Sequence, residues 1–177
     1  MKRIFTLIII TAMASIFCSC SAKKPFDNST VPAFDLTKYL GTWYEIARYD
    51  HRFERGIDYA TAQYVIMNNG KVKVLNSGKR GDDYSVANGR AKITETPGLL
   101  RVSFFGPFYS DYRILMLSDD YRYALVGSGS PKYLWILSRT PVMSETDLSA
   151  VLKEAVRRGY DTSKLIWVNQ ISNIEKL

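Results

Sequence analysis

Cysteine is almost missing from this chain, and its placement narrows what the chain can do. Of 177 residues only two are cysteine, Cys18 and Cys20, so nothing after position 20 can form a disulfide, a thiol nucleophile or a thiolate metal site. Histidine is scarcer still: His51 stands alone, leaving neither a histidine cluster for a metal nor a partner set for a triad. No glycine-rich spacing cradles a phosphate. The sequence therefore offers no catalytic residues, no metal ligands and no cofactor motif. Lysine and arginine are scattered rather than clustered, so the net charge of +7 does not call for nucleic acid. The one long apolar run, from Ile4 to Phe17, spans about 14 residues and is short for a bilayer-crossing helix. Internal repeats and low-complexity tracts are absent.

The beginning of the chain carries a processing pattern. Lys2 and Arg3 precede the apolar run, and no acid occurs before Asp27. Ser19 sets a small residue before Cys20, with Ser21 and Ala22 after it. The pattern resembles a bacterial lipoprotein signal, which implies cleavage before an acylated (for example palmitoylated) Cys20, and Ser21 in place of Asp fits delivery to the outer membrane. Residues 1–19 are thus expected to be a signal peptide, 20–33 a tether, and 34–177 the folded domain. Without residues 1–19, which hold Lys2 and Arg3, the net charge falls to +5, enough to favour an anionic lipid surface.

Aromatics are plentiful at 13%, with 12 Tyr, and broad rings suit a pleated, half-buried surface. One helical turn is expected at 35–39 with Asp35 as its cap. Eight strand-like runs follow, at 42–49, 59–67, 71–76, 86–94, 99–105, 112–117, 123–127 and 132–138. Between them stand turn residues such as Asn68-Asn69-Gly70, 78–83, Pro97-Gly98, Gly106-Pro107 and Ser118-Asp119-Asp120. Eight strands about 10 residues apart, with no helix among them, predict a meander, either sandwich or closed barrel. Alternation puts Ala60, Ala62, Tyr64 and Ile66 on one dry face, as it does Val72 with Val74 and Val102 with Phe104. Ser144, followed by Asp147, opens a helix whose stripe of Leu148, Val151, Leu152, Ala155 and Val156 should pack against the strands. Arg157 and Arg158 suit its last turn and Gly159 its end. Residues 165–168 read as a last short strand.

Three segments carry a family resemblance. Leu40-Gly41-Thr42-Trp43-Tyr44-Glu45-Ile46-Ala47 resembles the first lipocalin signature, Ser118 to Ala124 stands where the second is expected, and Leu134 to Pro141 resembles the third, ending in Arg139. Asp120 departs from the usual tyrosine of the second. Residues 50–56 and 102–109 are similar to the pattern of the bacterial outer-membrane lipocalins. The resemblance, covering roughly 34–170, implies an all-β fold: an eight-stranded up-and-down antiparallel β-barrel with a C-terminal α-helix packed outside. In a closed barrel the first and last strands are neighbours, so Trp43 and Arg139 can stack and plug one end, with Gly41 the third structural signature residue.

An eight-stranded barrel is just wide enough to be filled or to hold one small ligand. Counting by twos from Trp43 turns Glu45, Ala47 and Tyr49 inward; counting back from Arg139 turns in Leu137, Trp135 and Tyr133; Tyr112, Ile114 and Met116 share a face. Candidate ligand-lining residues are therefore Ala47, Tyr49, Ala60, Ala62, Tyr64, Val74, Phe104, Tyr112, Ile114, Tyr133 and Trp135. A buried Glu45 needs a partner, for which Arg139 or a tyrosine hydroxyl is available. His51, with Arg52, Arg55 and Lys132 at the same rim, is a candidate gate or headgroup contact. The resemblance implies a fatty acid or lysophospholipid as ligand and a membrane as partner through the anchor; the oligomeric state, a dimer included, stays open. Burying about 15 methylenes yields at most ~12 kcal/mol, against association costs of ~4–15 kcal/mol. The alternatives are a binder of haem or another hydrophobic pigment, a lipocalin-fold enzyme, and a barrel packed shut.

Overall fold

The computed structural model describes residues 26–170, so the signal peptide and the acylation expected at Cys20 lie outside the described residues. A single turn, α1 (Leu36–Tyr39), leads into β1 (Gly41–Arg48), β2 (Asp58–Ile66), β3 (Val72–Arg80), β4 (Asp83–Ile93), β5 (Leu99–Phe105), β6 (Phe108–Leu117), β7 (Tyr123–Gly127) and β8 (Leu134–Ser138). The helix α2 (Glu145–Arg157) and the two-residue β9 (Ile166–Trp167) complete it. Neighbouring strands pair antiparallel in chain order from β2 to β8; β1 pairs with both β8 and β2, and the sheet closes into the expected barrel.

Closure has a seam. β1 and β2 pair only from Gly41↔Tyr64 to Tyr44↔Thr61 and then separate. Beyond that point β9 pairs with Ala47 and Arg48, and the Gln170 amide donates to the carbonyls of Glu45 and Ala60, at 2.8 and 2.7 Å. The C-terminal segment thus supplies the hydrogen bonds that a parted pair of strands would otherwise leave unmade.

Two hairpins are longer than the sequence suggests. Residues 78–83 read as a loop, but β3 and β4 stay paired to Arg80↔Asp83 around a two-residue turn. Gly78 is not a turn residue: a Cβ there would lie 2.4 Å from the Ile57 side chain and 2.9 Å from the Asp58 carbonyl, so glycine allows the loop between β1 and β2 (the A–B loop) to close against the strand. β6 likewise begins at Phe108 rather than 112, because Gly106 (φ +56°) and Pro107 make a two-residue turn.

The wall separates two apolar layers. Inside lie Trp43, Tyr39, Tyr64, Val72, Val74, Ala91, Ile114, Ala124, Val126 and Leu137. Outside, Ala47, Leu115, Leu125, Leu134 and Ile136 pack under Val151 and Ala155 of α2. Ser144 caps that helix, its hydroxyl accepting from Asp147 N at 3.1 Å. Val156, read as part of the packed stripe, is turned away and 47% exposed. Arg158, read as an ordinary last-turn cation, is buried: it donates to the carbonyls of Leu115 (2.6 Å) and Ser29 (2.7 Å). It thereby clamps the segment 26–33, which was read as a tether but lies along the barrel wall, with Val31 N donating to the Ile114 carbonyl.

Candidate functional site

One end of the barrel is plugged. The Arg139 guanidinium lies 3.9 Å from the Trp43 ring centroid, and its nitrogens donate to the carbonyls of Thr42 (2.9 Å), Lys38 (2.7 Å) and Tyr121 (3.3 Å). Gly41 (φ +93°) brings the chain past this group; a Cβ there would sit 3.4 Å from Arg139 Nη1. The Trp43 indole N–H donates to the Tyr39 carbonyl at 2.9 Å, and the two rings are 4.7 Å apart. The anticipated stack is present, and α1 closes over it.

Above this plug three tyrosines form the floor of the interior. Tyr64 Oη donates to Tyr112 Oη at 2.8 Å, and Tyr39 Oη lies 2.7 Å from Tyr112 Oη. Burial holds all three hydroxyls well above the ordinary tyrosine range.

Burial loosens toward the other end. The inward residues Trp43, Val72, Val74 and Ile114 are sealed, whereas Phe104 and Trp135, nearer the mouth in the same interior cluster, are half-buried. Gly89 makes room for the Phe104 ring, which a Cβ there would meet at 2.7 Å. Ala60 is buried beside Gly78, and Tyr133 stands at the rim, 37% exposed.

A polar collar crosses the upper interior, and the sequence reading missed its centre. A bulge in β1 between Glu45 and Ala47 adds a residue, so the alternation from Trp43 fails there. Glu45 points in as expected, but Ala47 and Tyr49 face α2 and Tyr160, outside the barrel, and Arg48 turns in instead. The same device in β6, between Ile114 and Met116, moves Met116 to the outer layer. Ile66, expected on the dry face, is 52% exposed at the end of β2. Period-two counting carries no mark of a bulge; the one available clue was Arg48, a long cation inside an otherwise apolar strand.

Arg48 is 2% exposed. Its Nη1 donates to Glu45 Oε1 at 2.6 Å, and its Nη2 donates to the carbonyls of Glu54 (2.7 Å) and Ile57 (2.9 Å), drawing the A–B loop over the mouth. Glu45 is thus paired by Arg48, not by Arg139 or a tyrosine. Burial, reinforced by the nearby Glu54 and opposed by Arg48, pushes the Glu45 carboxyl up to about 8. Burial also raises Glu54, which accepts from the Trp135 indole N–H at 3.1 Å.

His51 lies against this group, its ring 4.8 Å from both Tyr133 and Trp135 and 5.5 Å from Phe53. Burial, helped by Arg48, lowers its pKa to about 4, so the imidazole is neutral at physiological pH. His51 Nε2 and Arg48 Nε are buried without a hydrogen-bond partner among the described residues. Arg55 pairs with Asp50, while Arg52 and Lys132 are exposed at the rim. Among the described residues no three His, Cys, Asp or Glu side chains converge on a metal position.

A closed antiparallel barrel, plugged at one end by an indole under a guanidinium and less tightly packed toward the other, defines a class of small barrel proteins. Residues 34–170 match the family described as a lipocalin-like domain, and the chain belongs to the lipocalin family. It is 44% identical over 173 residues to outer membrane lipoprotein Blc of Escherichia coli strain K12, covering 95% of this chain and 98% of that protein. The Vibrio cholerae protein of the same name is 40% identical over 167 residues, covering 92% and 98%. Among solved structures, insecticyanin from the tobacco hornworm superposes with a TM-score of 0.69 at 26% identity, over 85% of this chain and 89% of that one.

Proposed function

We propose that this protein is an outer-membrane lipoprotein, anchored through acylated Cys20, that binds a fatty acid or lysophospholipid in its barrel for storage, transport or scavenging of membrane lipids. It acts as a binding protein, not an enzyme. The observation that carries the reading is the gradient of burial inside the barrel, from a sealed floor at Trp43 and Ile114 to half-buried Phe104 and Trp135 nearer the mouth. Kinship with proteins named outer membrane lipoprotein supports the location.

The chemistry favours a tail-in arrangement. The walls offer Ala62, Tyr64, Val74, Phe104, Ile114 and Trp135 to an acyl chain, and such pockets need few polar anchors. The collar is buried and its one arginine already paired, so a charged headgroup belongs outside it, near the exposed Arg52 and Lys132. Just inside the mouth, Arg48 Nε and His51 Nε2 offer hydrogen bonds to a carbonyl or ester of the ligand. Native mass spectrometry of the purified protein, followed by lipid extraction, should show one bound acyl lipid and an N-terminal diacylated cysteine. Trp135→Ala should weaken binding of an added fatty acid roughly tenfold, the equivalent of about 1.4 kcal/mol. A protein that carries no lipid and takes none up would overturn the reading.

A further inference from the structure

The loop tips at the two ends of the barrel differ in chemistry. At the mouth, Phe105 and Phe108 flank the β5–β6 turn, each 79% exposed, with Phe53 (60%), Tyr84 (68%) and Val86 (50%) on adjoining segments. At the plugged end the turns are Asn68-Asn69-Gly70, Glu95-Thr96 and Ser118-Asp119-Asp120; its exposed apolar residues, Val65, Ile66 and Ile93 on strands and Val142 in the loop after β8, include no aromatic ring. Large aromatics concentrated on loop tips, rather than scattered singly, mark a surface that meets something apolar.

The path of the N-terminal segment identifies what that is. Phe26 stacks edge-on against Tyr160 at 5.3 Å, and Tyr160 Oη abuts Gly127, the mouth-side end of β7. From there the chain descends the wall, held by Arg113 on the Asn28 carbonyl and by Val31 on Ile114, until the Asp35 N–H donates to Tyr121 Oη at the plugged end. Arg158 fixes its upper part. Phe26, the first described residue, therefore lies on the mouth side of the wall. Cys20 lies six positions before Phe26, a reach of up to about 20 Å at ~3.3–3.6 Å per residue. The β5–β6 tip extends five residues beyond Arg113, which is paired with Gly127. That is about 16 Å along the strand, or ~13 Å along a barrel axis from which strands tilt by ~35–45°. An anchor at Cys20 and the phenylalanine tips can thus meet the same plane.

We infer that the barrel docks mouth-down on the bilayer that holds its anchor, with Phe105 and Phe108 inserted among the lipids, so that ligand passes between membrane and interior without crossing water. This rests on the lipid-anchor reading above. Apolar side chains buried a few ångströms into the headgroup boundary hold such an orientation once an acyl anchor supplies the affinity.

The test uses the full-length acylated protein in vesicles of phosphatidylethanolamine and phosphatidylglycerol doped with a nitroxide-labelled lipid. Acylation leaves no other thiol in the mature chain, so Pro107→Cys and Asn69→Cys each take one fluorophore, at the mouth and at the plugged end. Quenching should be several-fold stronger at position 107. Equal quenching, or stronger quenching at 69, overturns the orientation; failure to float with the vesicles overturns the anchor and the orientation with it. In a second arm, the Phe105→Ser/Phe108→Ser protein should float as before and bind a pyrene-labelled fatty acid added in solution with unchanged affinity, but take it from vesicles several-fold more slowly. An unchanged transfer rate refutes direct exchange. A protein that shows the orientation yet never binds the pyrene fatty acid overturns the ligand proposal alone.

Discussion

Each end of the barrel holds an arginine, and the two are satisfied in opposite ways. Arg139, at the plug, is met by three backbone carbonyls and the face of an indole, groups that never titrate. Arg48, at the mouth, is met by the carboxyl group of Glu45, by carbonyls of a loop, and by a neutral histidine nearby. The first arrangement is fixed in charge. The second depends on protonation and on the position of the A–B loop. Stability therefore belongs chiefly to the plug, and responsiveness to the mouth.

The sharpest way to break that contrast is at the plug. Trp43→Ala removes a fully buried ring and should lower unfolding stability by ~3–5 kcal/mol, read from urea denaturation. Arg139→Ala, which strips three carbonyls of their donor along with the stack, should cost about 2–3 kcal/mol, and lysine should restore less than half because it lacks the planar fork.

At the mouth the expected signature is pH dependence. The folded-state pKa of Glu45 is raised from 4.5 to about 8, so the fold holds a proton that the unfolded chain releases. Its contribution is complete below about 4.5 and is lost as pH rises through 8. His51 runs the other way: lowered from 6.5 to about 4, it contributes fully above 6.5 and loses that contribution as pH falls through 4. On raising the pH from 6.5 to 8 His51 no longer contributes to the slope, and the unfolding free energy read from urea denaturation should fall by something on the order of 1 kcal/mol as Glu45 loses its contribution; Glu45→Gln should flatten that slope. A slope that survives the substitution would mean that the mouth does not carry the titration. Smallest of all, Phe105→Ser should change stability by no more than about 0.5 kcal/mol, since the ring is almost fully exposed.

What the sequence could and could not reveal follows the same division. The plug was legible because Gly41, Trp43 and Arg139 sit in signatures whose geometry follows once the barrel closes, and Ser144 and Gly159 marked the helix by capping chemistry. The mouth was not, because its arrangement hangs on the β1 bulge: one extra residue after Glu45 sends Ala47 and Tyr49 outward and Arg48 inward. No composition or period announces such an insertion. Gly78 misled for a related reason, since a glycine that lets two backbones approach and one that makes a turn are the same letter.

The seam between β1 and β2 governs when this chain can fold. β1 takes its partners from residues 61–64, 135–138 and 166–167, and Gln170 ties the last gap. Synthesis of the strand that starts the barrel thus precedes synthesis of the groups that finish it by more than a hundred positions, and contacts so distant in sequence form slowly. Until residue 138 has emerged β1 lacks its β8 partner and the cylinder cannot shut, and until residue 170 has emerged the parted stretch of β1 and β2 keeps unmade hydrogen bonds; a nascent chain of this protein is obliged to remain unfinished, and dependent on whatever shields it, until both have been supplied.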